Sequence, residues 1–392
     1  MGGVYKDLRG LGPVTGLRPE TRQVPPPLLL SNVLPLCWPN MATIASSAAV
    51  LTGLKQIEVL ERPVLPPAAG EVTLAINAVG ICGSDMAYWA QGVAGGFKAL
   101  DFSAAGLCTG YCGQMGHECA GTVVAAGEGV TSLAVGDRVA LEPGVACGTC
   151  AQCRRGRYNL CSAMRFIGSA VNETPGAMAT RFNHPAAFCY RLPSHVSLDE
   201  GAMLEPLCVA LQATRRARVT MGMRVLITGA GPIGLMTMLA ARAAGATTVT
   251  VTDAVDAKLK VARQLGAQHT FNALTPDLAG LATSAAGGQF DVCFECCGVV
   301  AALEVCVRAA VSGGVVCVVA NYKESTPLRL QELARREIDL VGVYRYCNVR
   351  ALWPGLGSAL VSVHTTRPRG GAPALSLCSD WRPSLSPTPR LD

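Results

Sequence analysis

RVLITGAGPIGL, residues 224–235, joins an apolar run to a glycine-rich turn, and the segment after it has helical spacing of apolar residues. The turn fits the pattern G-x-G-x-x-G, with Gly229, Gly231 and Gly234 at the three glycine positions. In such a turn the first glycine permits the tight bend. The second lets backbone N–H groups approach a pyrophosphate, and the third lets helix and strand pack closely. Because the motif stands between a strand and a helix, it predicts a dinucleotide site.

The helix after the turn opens with Pro232 and Ile233, and its N-terminal amides and dipole favour the negative charge of phosphates. Asp253 ends a second β-branched run, TTVTVTD, 24 positions after Gly229. A carboxylate at this place accepts hydrogen bonds from the ribose hydroxyls and repels a 2′-phosphate, so we expect NAD rather than NADP. The alternative for Asp253 is an ordinary aspartate at a helix N-cap.

Strand-like and helix-like segments alternate from residue 204 to residue 348, where FDVCFECCG, GGVVCVVAN and IDLVGVYR supply further strands. This alternation predicts an α/β domain with a doubly wound parallel sheet of six strands. Residues 41–203 differ, because short β-type runs such as VTLAINAVGI (72–81), GTVVAAGEGV (121–130) and GDRVAL (136–141) stand between turn residues. We therefore expect a mostly-β domain before the α/β domain.

Length and composition restrict the class of protein. The 392 residues suffice for two domains with buried cores, and 50% of them are hydrophobic. The net charge of +6 is spread along the chain without a basic stripe, which argues against a nucleic-acid partner. No stretch approaches about 18 consecutive apolar residues, so no membrane span is expected.

Four cysteines follow one another at metal-ligand spacing in CGTCAQCRRGRYNLC, namely Cys147, Cys150, Cys153 and Cys161. Four thiolates on one short loop can surround a single ion tetrahedrally and leave no open position, which predicts a closed, structural zinc site. Iron–sulfur clusters also use cysteines, but their usual spacings differ. Thiolates that hold zinc must stay reduced, so we expect an intracellular, cytoplasmic protein, with organelle targeting by residues 1–40 as the alternative.

A second group of candidate metal ligands is Cys82 in GICGSD and His117 with Glu118 in MGHECAG. A catalytic zinc site has about three protein ligands and keeps one position for water or substrate. Taken singly, each residue also has an ordinary interpretation: a core thiol, a buried histidine and a surface acid.

These motifs occur together and in order. The run from GICGSD through GHECAG to the four cysteines, followed by EPLCVAL (205–211) and GAGPIGL, resembles the zinc-containing medium-chain dehydrogenases. Within that family the chain is most similar to the sorbitol, or polyol, dehydrogenases. That closer likeness lies in AYWAQG (87–92), HPAAFCYRLP (184–193), GAMLEPL (201–207) and YRYCN (344–348).

The resemblance implies a GroES-like catalytic domain, 41–203, followed by a Rossmann NAD-binding domain, 204–348. It implies two zinc ions, one catalytic and one structural, and oxidation of a polyol such as sorbitol or xylitol to the 2-ketose by hydride transfer to NAD. It also implies a homo-oligomer, a dimer or a tetramer. The alternatives are a threonine- or butanediol-type zinc dehydrogenase, or an impaired protein that only binds NAD and zinc.

The resemblance also assigns roles to residues. Cys82, His117 and Glu118 match the ligands of the catalytic zinc, and Glu205 matches a carboxylate that ligates the metal or holds its water. Ser84 matches the hydroxyl beside the substrate oxygen. Four further residues match positions of the substrate pocket: Tyr88, Phe166, Arg345 and Tyr346.

Three segments depart from the family pattern. Residues 1–40 have no counterpart, and we expect an unstructured extension there. Residues 98–114 are longer than the family's link before GHE. Residues 349–392 lack the periodicity that buries a helix or strand face, so we expect a disordered tail.

Overall fold

The computed structural model describes residues 43–94, 97–98, 113–169, 174–322 and 325–348. The predictions for residues 1–40 and 349–392, and for most of 98–114, lie outside these ranges. The described residues contain the two kinds of sheet that the sequence predicts.

The N-terminal half consists of short strands. Their bounds are β1 Ser47–Gly53, β2 Gln56–Glu61, β3 Glu71–Gly80, β4 Val93–Ala94, β5 Phe97–Lys98, β6 Glu118–Ala126, β7 Arg138–Leu141, β8 Gly144–Val145, β9 Arg165–Phe166, β10 Arg181–Pro185 and β11 Cys189–Arg191. Five of them form an antiparallel sheet in the order β10-β3-β6-β7-β11. Val72 and Leu74 of β3 pack with Val123 of β6 and Leu141 of β7 in one apolar core. The predicted mostly-β domain is therefore confirmed.

Six strands form the second sheet: β12 Arg224–Thr228, β13 Thr248–Asp253, β14 His269–Asn272, β15 Phe290–Glu295, β16 Ala310–Val318 and β17 Asp339–Gly342. All their pairings are parallel, and the order is β14-β13-β12-β15-β16-β17. Both faces are covered, because Ile227 of β12 packs in one apolar cluster and its neighbour Leu226 in another. The order reverses direction between β12 and β15, and a doubly wound sheet binds its dinucleotide at that point.

The helices of the described residues include α1 Gly83–Gln91, α2 Ala151–Arg154, α3 Leu198–Arg216, α4 Pro232–Ala243, α5 Asp256–Gln264, α6 Leu278–Ala285, α7 Val300–Ala309 and α8 Leu330–Arg335. Single 3-10 turns occur at Tyr158–Leu160 and Ala186–Phe188. Among the residues that the structure describes, no helix has both the length and the apolar character needed to cross a bilayer.

Helix α3 connects the two sheets. Ser197 caps it, with its Oγ accepting the N–H of Glu200 at 3.2 Å while the Glu200 carboxylate accepts the N–H of Ser197 at 2.8 Å, which is a capping box. Leu204 and Leu207 of α3 lie in a core cluster that also contains Ala120 of the antiparallel sheet and Met236 of α4. The boundary proposed between residues 203 and 204 thus falls within one continuous helix, and Glu205 stands on that helix between the two halves.

Candidate active site

The glycine-rich turn has the geometry that a dinucleotide needs. Gly229 has φ 98°, a conformation that residues with a Cβ seldom adopt, and its N–H donates to the carbonyl of Thr252 at 2.7 Å. Gly231 is the N-cap of α4, and a Cβ placed there would meet no atom within 4 Å. Pro232 and Ile233 open α4 directly behind it. The turn therefore leaves open space in front of the helix N-terminus, where a pyrophosphate is expected.

Asp253 stands at the end of β13 and holds the turn in place. Its Oδ2 accepts the N–H of Ala230 at 2.8 Å, and its Oδ1 accepts the N–H of Val255 at 2.9 Å. Lys258 Nζ lies 3.7 Å from Oδ2. The carboxylate lies between the phosphate turn and the next loop, as expected for a ribose-binding acid. Its bond to Val255 agrees with the capping alternative as well.

Cys82, His117 and Glu118 come together, with one ligand atom of each within 4.8 Å of the others. Cys82 is the N-cap of α1, and His117 directly precedes β6. Gly116 before His117 has φ 93°, and a Cβ there would lie 2.9 Å from both Met178 N and Val79 Cγ1. Glycine is therefore required at this close approach, which brings His117 to the end of β3.

Asp85 belongs to this cluster and was missed in the sequence analysis. It is 1% exposed, its Oδ2 accepts the N–H of Cys82 at 2.9 Å, and its Oδ1 lies 3.9 Å from His117 Nδ1. Within the described part of the chain, neither Asp85 Oδ1 nor His117 Nδ1 has a hydrogen-bond partner. The sequence contained one indication of this role, the aspartate in GICGSD, but an acid in the first turn of a helix is also an ordinary cap.

Burial shifts the ionisation of the cluster. Burial, followed by the charge of Glu118, raises the pKa of Cys82 to about 11. Burial is the main reason that the pKa of Glu205 is raised to about 8. The negative charges of Glu118 and Cys82 also raise this pKa, whereas the positive charges of His117 and Arg345 lower it. The charges of these groups act on Glu205 because this residue of α3 lies near the cluster. Ser84 is half-buried and donates side-chain and backbone hydrogen bonds to the Cys82 sulfur.

The predicted substrate residues surround the same cluster. Phe166 of β9 is 8% exposed, and its ring centroid lies 5.4 Å from that of His117 in an edge-to-face contact. The guanidinium carbon of Arg345 lies 4.1 Å from the Phe166 centroid. Tyr88 and Glu205 are among the groups whose charges act on Arg345. The structure therefore places Phe166 in the site, next to His117 and Arg345.

Tyr346 is placed differently from the other three residues predicted to line the substrate pocket. It is 3% exposed and packs in the core cluster of Leu204, Leu207 and Met236. Its hydroxyl has no hydrogen-bond partner among the described residues, and burial raises its pKa. Tyr346 thus lies beneath the site, with an unpartnered phenol oxygen near Glu205.

The four cysteines of the loop 147–161, which we call the four-cysteine lobe, also converge, with their sulfurs within 4.8 Å of one another. The Sγ–Sγ separation is 3.5 Å for Cys150 to Cys153 and for Cys161 to Cys147, and 4.0 Å for Cys147 to Cys153. Backbone N–H groups of Thr149 and Cys150 lower the pKa of Cys147 to about 6.

Both clusters fit a metal. A tetrahedron with sulfurs about 2.3 Å from its centre has edges of about 3.8 Å, close to the separations in the four-cysteine lobe. At Cys82, His117 and Glu118, the two unpartnered atoms of Asp85 and His117 have the arrangement of a carboxylate that orients a metal-binding imidazole.

Comparison with known proteins agrees with this geometry. Residues 68–194 match the alcohol dehydrogenase GroES-like domain, and residues 232–362 match the zinc-binding dehydrogenase family. The chain belongs to the zinc-binding dehydrogenases. The second match extends 14 residues beyond Asn348, past the point where the sequence resemblance was expected to end.

Individual relatives of this zinc-binding dehydrogenase carry polyol-related names. An L-idonate 5-dehydrogenase of Vitis vinifera is 40% identical over 78% of this chain and 81% of its own length. A sorbitol dehydrogenase of Gallus gallus is 38% identical over 82% and 87%, respectively. A sorbitol dehydrogenase of Arabidopsis thaliana is 41% identical over 78% and 82%.

Solved structures show the same architecture. An Escherichia coli oxidoreductase/dehydrogenase of unknown specificity has a TM-score of 0.74 and 31% identity, covering 81% of this chain and 88% of its own. A zinc-binding dehydrogenase of Sinorhizobium meliloti, 28% identical with a TM-score of 0.71, is bound to NADP and covers 80% of this chain and 88% of its own. This dehydrogenase therefore has the fold of proteins that use zinc and a nicotinamide cofactor.

Proposed function

We propose that this zinc-binding dehydrogenase oxidises a polyol such as sorbitol or xylitol to the corresponding 2-ketose, with NAD as the hydride acceptor. The observation that carries the proposal is the contact of Arg345 with Phe166 beside His117. This contact places the Arg345 guanidinium, a cation with several N–H donors, next to the predicted metal ligands Cys82, His117 and Glu118. A polyol carries hydroxyls on the carbons next to the one that is oxidised, and these hydroxyls need hydrogen-bond donors in the pocket. A simple alcohol has no such hydroxyls and needs no such donors. The names of the relatives support the same substrate class.

The proposed division of the metal sites follows from their chemistry. Cys82, His117 and Glu118 would hold the catalytic zinc, since three protein ligands leave a position open. The four-cysteine lobe would hold a structural zinc, because its four thiolates complete the coordination. When bound, the catalytic metal lowers the pKa of the substrate hydroxyl, and the nicotinamide accepts the hydride.

The chain's own residues would handle substrate and proton. Arg345 donates hydrogen bonds to hydroxyls next to the reacting carbon, and Phe166 and Tyr88 close the pocket around the substrate carbons. Ser84, beside Cys82 and partly exposed, acts as a relay: its Oγ takes up the proton of the reacting hydroxyl while its own hydroxyl hydrogen passes to a solvent water. Asp253 accepts hydrogen bonds from the adenosine ribose of NAD and, by its charge, disfavours NADP. We further propose that the enzyme is a homo-oligomer, a dimer or a tetramer.

A steady-state assay tests the proposal. With NAD at saturation, sorbitol or xylitol should be oxidised at a higher kcat/KM than L-idonate, threonine, butane-2,3-diol or ethanol. Higher activity on threonine or butane-2,3-diol would show that the enzyme is a threonine- or butanediol-type dehydrogenase and not a polyol dehydrogenase. An absence of turnover in protein that retains zinc and binds NADH would favour the impaired alternative. The highest activity on L-idonate would move the substrate class to polyhydroxy acids, for which Arg345 would pair with the carboxylate.

A further inference from the structure

The segment 344–348, which we call the arginine segment, has a backbone that its own sequence does not explain. Arg345 has φ 53° and Asn348 has φ 58°, both in the left-handed region. Asparagine tolerates this region because its short polar side chain can hydrogen-bond locally, but arginine has no such group, so the conformation of Arg345 is the one left unexplained. The segment follows β17 without regular structure. Contacts from elsewhere must therefore hold this conformation.

Three of those contacts come from the four-cysteine lobe, and a fourth comes from α3, where Arg215 Nη1 donates to the carbonyl of Cys347 at 3.3 Å. Asn159 Nδ2 donates to the carbonyl of Tyr344 at 2.9 Å, across 185 positions of the chain. The N–H of Asn348 donates to Tyr158 Oη at 3.0 Å, and Asn348 Nδ2 donates to the carbonyl of Gly156 at 2.7 Å. The lobe thus binds the arginine segment at both ends, on either side of Arg345.

Asn159 is the most buried of these partners, with 3% exposure. Its Oδ1 has no hydrogen-bond partner among the described residues, and its Nδ2 donates to the carbonyl of Tyr344. A buried amide that leaves one atom unpartnered is unfavourable as a filler of space. Its value to the fold must lie in the donated bond.

The Tyr344 carbonyl is the atom through which Arg345 is placed. It belongs to the peptide unit that leads into Arg345, and the Arg345 guanidinium carbon lies 4.7 Å from the Tyr344 ring centroid and 4.1 Å from that of Phe166. The hydrogen bond at the Tyr344 carbonyl therefore fixes the backbone from which Arg345 extends over the Phe166 ring.

We propose that Asn159 is a positioning residue that holds Arg345 over Phe166, so that the four-cysteine lobe sets the affinity of the substrate pocket. Asn159 itself makes no hydrogen bond with Cys82 or His117 and acts through Arg345. The expected effect of Asn159 on substrate affinity rests on the proposed function. The expected effect of Asn159 on the backbone of the arginine segment does not depend on that function.

The first experiment measures the segment directly. Hydrogen–deuterium exchange of the zinc-loaded enzyme should show about tenfold faster exchange of the amides at 345–348 in Asn159→Ala, the factor that corresponds to one lost hydrogen bond. Asn159→Asp keeps the shape of the side chain but replaces the donor with an oxygen, and it should behave in the same way. Unchanged exchange at 345–348 in both folded variants would overturn the proposal.

Asn183→Ala is the matched control. Asn183 is a half-buried asparagine whose Nδ2 donates to the carbonyl of Leu65 at 2.9 Å, in the antiparallel sheet and away from the arginine segment. Its substitution should speed exchange near Leu65 and leave 345–348 unchanged. If Asn183→Ala loosened the arginine segment equally, the effect would be a general loss of stability and the proposal would fail.

The second experiment measures the KM for the substrate. In Asn159→Ala the KM for sorbitol should rise about tenfold, while kcat and the Kd for NADH stay within about twofold. In an Arg345→Ala background, Asn159→Ala should change the KM by less than about twofold, because the residue through which it acts is gone. Equal increases in both backgrounds would show that Asn159 does not act through Arg345. If the wild type oxidises no polyol, the proposed function fails, and the exchange measurement still decides the role of Asn159.

Discussion

Oδ1 of Asp85 lies 3.9 Å from Nδ1 of His117, and both atoms are buried without a hydrogen-bond partner among the described residues. A small movement of either side chain would make this contact a hydrogen bond. A carboxylate on the far nitrogen of a metal-binding imidazole fixes the ring and raises its basicity. The pair therefore links the first turn of α1 to His117, one of the predicted ligands of the catalytic zinc.

Asp85→Asn should lower the affinity of the catalytic site for zinc about 10- to 100-fold, because the amide orients the imidazole without a negative charge. Competition with a chelator, followed by elemental analysis, measures this loss. Asp137→Asn is the control, since Asp137 pairs with Arg191 at 2.6 Å on the surface, and that variant should retain its zinc. Equal zinc retention in both variants would contradict a role for Asp85.

Two cysteine substitutions should separate the metal sites. The reduced protein should contain about two zinc ions per chain, and either Cys82→Ala or Cys150→Ala should leave about one. Only Cys150→Ala should lower the melting temperature markedly, because a closed zinc site contributes its binding energy to folding. Elemental analysis and thermal unfolding of the same samples provide the measurement. A wild-type content near one that survives Cys82→Ala would mean that the catalytic cluster binds no zinc.

The cofactor preference should depend on Asp253. Asp253→Ser removes the charge that disfavours a 2′-phosphate, so the preference for NAD over NADP should fall by about tenfold or more. The ratio of kcat/KM values for the two cofactors measures it. Asp256→Ser is the control, because Asp256 lies in the next helix and accepts a bond from Asn272. A wild type that is faster with NADP would refute the assignment.

Glu205 should make the stability of the metal-free protein depend on pH. Its pKa is raised by burial from 4.5 to about 8, so between these values the folded state holds a proton that the unfolded chain releases. The free energy of unfolding should then fall as pH rises from about 5 to 8, by up to about 1.4 kcal/mol per pH unit. Denaturant titrations across this range should show a flatter profile for Glu205→Gln.

The slope will not vanish completely in that variant, because burial also raises the pKa of Glu118 and acts in the same direction. Glu128→Gln serves as the control, since Glu128 is exposed and its loss should leave the slope of the wild type. His184, whose pKa burial lowers to about 4, adds a slope of opposite sign below pH about 6.5 in the wild type and in the variant alike. Only the difference between the two profiles therefore reports on Glu205, and a wild-type stability that falls no more steeply with pH than that of Glu205→Gln would contradict the assignment.

Much of the site was predictable because its parts are close in sequence or have a fixed order. The turn at Gly229 stands between a strand and a helix, as predicted, and the four cysteines of the lobe converge as their spacing indicates. The role of Asp85 beside His117 was not predictable in the same way, because an acidic residue in the first turn of a helix commonly serves only as a helix cap. Only the position of His117 shows that this carboxylate faces an imidazole.

The sequence by itself determined the six parallel strands, the glycine-rich turn and the cysteine-rich loop, because periodicity and close spacing are local properties of the chain. Only the tertiary structure decided that the lobe holds the arginine segment, through Asn159 and Tyr344, which lie 185 positions apart. It also decided that Phe166 lies between His117 and Arg345. Contacts of this kind depend on how the two sheets pack around α3, and a packing arrangement of distant segments leaves no periodic pattern in the sequence.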